Sequence, residues 1–182
     1  MKVVGIIGSP RAVGNTSLLV QKILDGASSK SAETKIFILN TLQISACQAC
    51  NHCRPKGDCI LNDDMQDIYR ALESATAIVV GTPIYMGQMS AQTKLFVDRL
   101  YAHYVANKGK NVPIGLVFTY GAPGRDVYSD YIAYTAKIFI SLGYDVRGVI
   151  TAGNAGAPGV VLEDADVMEK AVALGESLVS GL

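Results

Sequence analysis

The sequence predicts an α/β protein whose centre is a doubly wound, five-stranded parallel sheet in strand order 2-1-3-4-5, with helices on both faces. Short β-rich runs alternate with longer segments of helical period along the chain, the pattern of a parallel sheet covered on both sides. Five such runs are present, and right-handed crossovers between five parallel strands favour a doubly wound sheet, for which 2-1-3-4-5 is one of two common orders. In such sheets ligands bind beyond the carboxyl ends of the strands, so the segments after each strand carry the functional argument.

The strands are predicted at Lys2 to Ile7, Thr34 to Leu39, Ala77 to Gly81, Ile114 to Phe118 and Asp145 to Ile150. Helices are predicted at about 15–28, 64–74, 90–106, 126–142 and 163–179. Ser90 suits the cap of the third of these, whose Leu95, Phe96 and Leu100 face inward. Gly143 after Leu142 stops the fourth. The fifth carries Val167, Met168, Ala171, Leu174 and Leu178 on one stripe.

A chain of 182 residues suits one domain, 1–182, with a cysteine-bearing loop inserted at about 45–62. Zero formal net charge removes the electrostatic case for nucleic acid. The apolar runs VVGII and AIVVG are too short to span a bilayer, and Met1-Lys2 leads straight into a strand rather than a signal peptide. The expected location is therefore the cytoplasm, where thiols are kept reduced and a structural disulfide is the least expected use of cysteine.

GSPRAVGNTS, residues 8–17, joins the first strand to the first helix. Ser9, Asn15, Thr16 and Ser17 offer hydroxyl and amide donors, Arg11 a fixed positive fork, and a helix N-terminus adds unpaired N–H groups. These parts suit a phosphate, although the loop is neither a Walker A motif nor a spaced-glycine fingerprint. The plainer alternative is a polar turn with Asn15 as an N-cap. After the third strand, Pro83 and Gly87 bend the chain while Tyr85 and Met86 offer flat or polarizable surface suited to an aromatic ring system; core packing is the alternative.

GSPR followed by Asn15-Thr16-Ser17, then Thr82-Pro83-Ile84-Tyr85-Met86-Gly87, then Ser90-Ala91-Gln92 with Lys94, Phe96, Asp98 and Arg99, resembles the NADPH-dependent FMN reductase family of flavodoxin-like proteins. The resemblance runs from Met1 to about Arg99. It implies that Ser9, Arg11, Asn15, Thr16 and Ser17 hold the FMN phosphate and that Pro83, Ile84, Tyr85, Met86 and Gly87 line the isoalloxazine. It also implies a third flavin loop after the fourth strand, here TYGAPG from Thr119 to Gly124, with Thr119, Tyr120, Gly121 and Gly124 as contacts. This loop departs from the glycine pair expected there.

Every cysteine lies in CQACNHCRPKGDC, residues 47–59, with spacing Cys-x2-Cys-x2-Cys-x5-Cys. Pro55-Lys56-Gly57 supplies a turn that returns Cys59 to the other three, and tandem x2 spacings resemble iron–sulfur ligand runs. Zinc sites more often use two separated Cys-x2-Cys pairs. Zinc, redox thiols and an inert loop remain as alternatives. The motif, followed by Asp63-Asp64-Met65, resembles the iron-sulfur flavoproteins within the flavodoxin-like group, which implies a 4Fe-4S cluster on Cys47, Cys50, Cys53 and Cys59. His52, His103, Lys108 and Lys110 read as solvated residues, and Asp63 and Asp64 as N-cap and first-turn charges.

The expectation is an FMN oxidoreductase with a cysteine-held cluster, moving electrons between a reduced carrier such as ferredoxin and a small acceptor. No side-chain acid or base is required, so no catalytic residue is assigned. Two alternatives are a cluster-free NAD(P)H-dependent flavin or quinone reductase and a non-enzymatic flavin-binding or zinc-stabilised protein. The resemblance implies a homodimer or homotetramer; Tyr101 and Tyr104, at helical spacing in the helix at 90–106, suit part of the contact, with packing in a monomer core as the alternative.

Overall fold

The computed structural model describes residues 1–107, 110–124 and 126–180; Lys108 lies outside them. Strand β1 (Lys2–Ile7) leads into helix α1 (Asn15–Ser29) and returns through β2 (Glu33–Ile38). A short turn of helix, α2 (Cys53–Lys56), stands within the cysteine segment, followed by α3 (Met65–Glu73). Then come β3 (Ala77–Tyr85), β4 (Gln88–Met89), α4 (Ala91–Ala106), β5 (Val112–Thr119), α5 (Ser129–Ser141), β6 (Tyr144–Ala152) and α6 (Ala165–Val179).

The long strands lie in the order β2-β1-β3-β5-β6, all parallel. Counted among themselves they follow the predicted 2-1-3-4-5 order, but the sheet has six strands rather than five. The sixth is β4, which folds back antiparallel onto the end of β3 through the pairs Ile84–Met89 and Tyr85–Gln88. The two residues between them, Met86 and Gly87, have φ of 48° and 81°, as a type I′ hairpin turn requires.

Strand β3 outruns its predicted end at Gly81 by four residues, despite Pro83. Its last partner on β1 is Ile7, opposite Gly81; Thr82 and Pro83 then pair on one side with Phe118 and Thr119 of β5, before Ile84 and Tyr85 pair with β4. Proline is tolerated where one side of a strand has no neighbour. The extension carries Ile84 and Tyr85 past the end of β1.

Alternation along the strands sorts the core onto two faces. Val4, Ile6, Ile78, Val80, Leu116 and Phe118 pack with Ile68, Leu72, Phe96, Leu100 and Phe139 of α3, α4 and α5. Val3, Ile7, Val79 and Val117 pack on the opposite face with α1 and α6, including the expected stripe Val167, Ala171, Leu174 and Leu178. No helix among the described residues is long and apolar enough to cross a membrane.

Candidate functional site: a loop-built cleft and a cysteine cavity

The first loop is held from below by α4. Ser90 donates through Oγ to the Gly8 carbonyl at 2.6 Å and accepts from the Thr93 amide at 3.2 Å, capping α4 as expected. Thr82 Oγ1 accepts from the Ser90 amide at 3.1 Å and from Thr93 Oγ1 at 2.9 Å. These buried side chains tie the ends of β1 and β3 to the same helix start. Gly8 is a site of close approach, because a Cβ there would stand 1.8 Å from Thr93 Oγ1.

At the carboxyl ends of the strands a cavity of about 230 Å³ opens between four loops. Ser9, Arg11, Asn15 and Thr16 line it from the first, Pro83, Ile84 and Tyr85 from the end of β3, Thr119, Tyr120 and Gly121 from the end of β5. Ala155 and Gly156, after β6, complete it. Ten of the fourteen residues expected to hold the flavin therefore face one cleft. The other four stand off it. Ser17 turns its hydroxyl to the Arg11 carbonyl at 3.3 Å, and Met86 and Gly87 form the tip of the β3–β4 hairpin. Gly124 lines a separate cavity of about 460 Å³ with Thr151, Asn154 and Asp164.

Burial and bonding give each residue a distinct part. The hydroxyl oxygens of Thr16 and Thr119 lie 2.7 Å apart, joining the first loop to the end of β5. Asn15 is the first residue of α1, so it does not cap the helix; Gly14 occupies that position. Its buried carboxamide donates to the Ala155 and Ala157 carbonyls at 2.9 and 2.8 Å and accepts from the Gly159 amide at 2.8 Å. Arg11 is exposed and donates to the Gly156 carbonyl at 3.0 Å. The loop after β6 was missed in the sequence, although its glycine-rich GNAGAPG at a strand end is a readable signal.

The donor set fits FMN. A guanidinium and two buried hydroxyls, on Ser9 and Thr16, stand at the start of α1, where a phosphate gains from unpaired N–H groups. No carboxylate is among the lining residues to repel it. Tyr85 and Tyr120 supply aromatic surface, with Tyr85 half in solvent and Tyr120 held edge-on against Tyr128, 5.0 Å between ring centroids.

The cysteine segment builds a second cavity. Cys47, Cys50, Cys53 and Cys59 all line a pocket of about 60 Å³, together with His52, Ile60, Leu61 and Tyr101. The turn at 53–57 acts as expected: the Gly57 amide donates to the Cys53 carbonyl at 2.7 Å, and Gly57, at φ 73°, sets Cys59 on its return. A side chain at Gly57 would meet Ala106 of α4 at 2.8 Å. All four cysteines are free thiols. Burial pushes the Cys53 thiol up, and the charges of Cys59, Cys47 and Cys50 add to the rise. The four sulfurs thus share one electrostatic neighbourhood. Among the described residues no three Cys, His, Asp or Glu side chains form a site for a single metal ion. A four-iron cluster asks for a different layout, with each thiolate on its own iron around a common centre. Four thiols on one pocket wall have the donor chemistry for it.

Helix α4 connects the two sites. Ser90 at its start supports the first loop of the cleft and Tyr101 lines the cysteine pocket, about 16 Å further along at helical rise. The buried stripe of this helix also carries Arg99, named in the sequence only within the family resemblance, and His103, read there as solvated. His103 is 5% exposed rather than solvated, with Nδ1 3.1 Å from the Tyr144 hydroxyl and the rings stacked. Spacing from Phe96 through Arg99 and Leu100 to His103 is the i, i+3, i+4, i+7 pattern that marks the inward face. Asp63 caps the Met65 amide at 3.1 Å and also binds the buried Arg99, which the sequence pattern did not reveal. Asp64 accepts from the Gln43 amide at 2.7 Å instead of capping α3.

The fold and the cleft define the class: a parallel α/β protein with a cleft of hydroxyl, guanidinium and aromatic groups at the strand ends. The model of the NADPH-dependent FMN reductase family matches residues 1–130, and the chain belongs to that family. It is 31% identical over 161 residues to an iron-sulfur flavoprotein of Archaeoglobus fulgidus, covering 86% of this chain and 72% of that one. It is 40% identical over 99 residues to an iron-sulfur flavoprotein of Methanocaldococcus jannaschii, covering 54% of this chain and 51% of the relative, so it spans about half that protein's length. A flavodoxin from the domain Archaea shares the fold with a TM-score of 0.62 at 16% identity, over 98% of this chain and 96% of that one. The flavodoxin-like expectation therefore stands for the sheet and its helices.

Proposed function

We propose that this chain is an FMN-dependent oxidoreductase carrying a 4Fe-4S cluster on Cys47, Cys50, Cys53 and Cys59. It forms one flavodoxin-like domain with the cysteine loop as an insertion. The observation that carries the reading is that all four cysteines open onto one pocket beside α4, while the flavin cleft lies at the start of the same helix. Two relatives named iron-sulfur flavoproteins support it. FMN, when bound, exchanges two electrons together or one at a time and a four-iron cluster exchanges one, so the pair links one-electron and two-electron partners.

Within that chemistry the chain's own residues bind and orient. Ser9, Thr16 and Arg11 hold the phosphate, with Ser17 bracing the Arg11 backbone and Asn15 fixing the loop that Arg11 leans on. Pro83, Ile84, Tyr85, Thr119, Tyr120 and Gly121 flank the ring, and the Met86-Gly87 turn and Gly124 shape its rim. A reduced protein carrier of the ferredoxin kind supplies electrons and a small molecule accepts them. The protein works in the cytoplasm as a homodimer or homotetramer.

Iron, sulfide, zinc and flavin content, measured with a visible spectrum on protein purified without oxygen, tests this. About four irons and four sulfides per flavin are expected. Flavin with neither iron nor sulfide overturns the cluster reading and leaves an NAD(P)H-dependent flavin or quinone reductase, which NADPH would bleach rapidly. Stoichiometric zinc without turnover would leave a zinc-stabilised binding protein.

A further inference from the structure

The cysteine segment contains only the single turn α2, yet it is anchored at both ends by one side chain. Arg99 donates through Nη1 to the Ser45 carbonyl and to Asp63 Oδ2, both at 2.8 Å, and through Nη2 to Asp63 Oδ1 at 3.1 Å. The Ser45 amide donates to Asp63 Oδ2 at 2.9 Å. Ser45 and Asp63 bracket the four cysteines, so this guanidinium closes the segment into a loop. Gln66 of α3 adds bonds from Nε2 to the Cys59 and Leu61 carbonyls at 2.9 and 2.8 Å.

The closure is placed where charge acts at a distance. The Arg99 side chain is 1% exposed, and its Nε makes no hydrogen bond among the described residues. The Tyr69 hydroxyl donates to the Arg99 carbonyl at 2.7 Å, and Tyr69 lines one cavity with Cys59 and with Gln66, the residue that binds the Cys59 carbonyl. A buried ion pair is a poor device for stability alone, since apolar residues of similar volume serve as well or better. Solvent and salt screen a surface cation, whereas one buried at this depth keeps its field.

We propose that Arg99 is the positioning residue of the cysteine loop, closing it before any centre is bound and supplying the fixed positive charge that favours an added electron on a centre held through Cys59. The electrostatic half rests on the cluster reading; the closure half does not. In the redox step one electron enters from an external reductant and no bond forms or breaks. Nearby charge and hydrogen bonds to the sulfurs set such potentials.

Two readouts on the intact protein test the two halves. In iron-free protein, trypsin cuts after Lys56, since Arg54 precedes Pro55. We expect Arg99→Gln to accelerate this cut at least tenfold while cleavage elsewhere keeps its wild-type rate; equal rates at Lys56 overturn the closure. In iron-loaded protein, dithionite titration with mediators should show the oxidised-to-reduced ratio at the wild-type midpoint rising at least about tenfold in Arg99→Gln, about 59 mV for one electron. Asp63→Asn, which frees the cation of its partner, should shift the ratio the opposite way, and Arg99→Lys should stay within threefold of wild type. Shifts of the same sign, or none, overturn the electrostatic half. If Arg99→Gln does not fold, wild type, Arg99→Lys and Asp63→Asn carry both comparisons. Wild-type protein with flavin and no iron overturns the cluster reading and the electrostatic half together, and the trypsin rates still decide the closure.

Discussion

The Asn15 carboxamide, at the start of α1, donates to the Ala155 carbonyl at 2.9 Å, although 140 residues separate the two in sequence. With its bonds to Ala157 and Gly159 it satisfies the loop after β6 and holds Gly156 where Arg11 can reach it. Replacement by alanine leaves two carbonyls and one amide without this partner. Asn15→Ala should lower unfolding free energy by about 2–3 kcal/mol, read by urea denaturation. It should also weaken FMN binding at least tenfold, read by quenching of flavin fluorescence. Unchanged affinity would show that the loop after β6 does not support the cleft.

Gly8 and Thr93 compete for one space. Gly8→Ala should destabilise by about 1–3 kcal/mol through overpacking. The cost should shrink by about 1 kcal/mol in a Thr93→Ala background, because the atom 1.8 Å from the new Cβ is then gone. A double-mutant cycle on chemical denaturation reads the coupling, and strict additivity would contradict the packing described.

Met86 spends strain at an exposed turn. It holds a left-handed φ of 48° with its side chain fully in solvent, where a bulky residue costs about 1 kcal/mol. Asn-Gly is the favoured pair for this hairpin. Met86→Asn should therefore raise the melting temperature by about 2–3 °C. A simultaneous loss of flavin affinity would mean that the thioether is retained at the rim for the ligand.

His103 makes stability depend on pH. Burial pushes its pKa down, with the charge of Lys110 adding to this and the Leu72 carbonyl opposing it. The unfolded chain then takes up a proton near pH 6.5 while the folded chain does not. Stability should fall as pH drops through about 6.5 and keep falling until the folded pKa is reached, by at most about 1.4 kcal/mol per pH unit. In His103→Gln the difference between urea midpoints at pH 7.5 and 5.5 should be smaller than in wild type. An equal difference would place the titration elsewhere.

Much of the frame is visible in single residues. Strand β1 ends at Ile7 as read, because a glycine follows an apolar run; α5 stops at Gly143, which adopts φ 83° as a helix terminator does. Strand β3 was read as ending before Pro83 because a local rule against proline in strands is blind to which neighbours remain. Asp63 looked like a cap because its capping bond is local. Its bonds to Arg99, 36 residues away, are not.

The sequence by itself determined the alternation of strands and helices, the order of the long strands, three of the four loops that face the cleft and the grouping of the four cysteines. These follow from periodicity, turn residues and short spacings, which act over a few residues and are written in order along the chain. Only the tertiary structure decided that Asn15 is spent on the loop after β6, that His103 is buried against Tyr144, and that Arg99 closes the cysteine segment. Those roles depend on which polar groups lose water together when distant elements pack, and a buried donor takes whichever acceptor the fold brings to it.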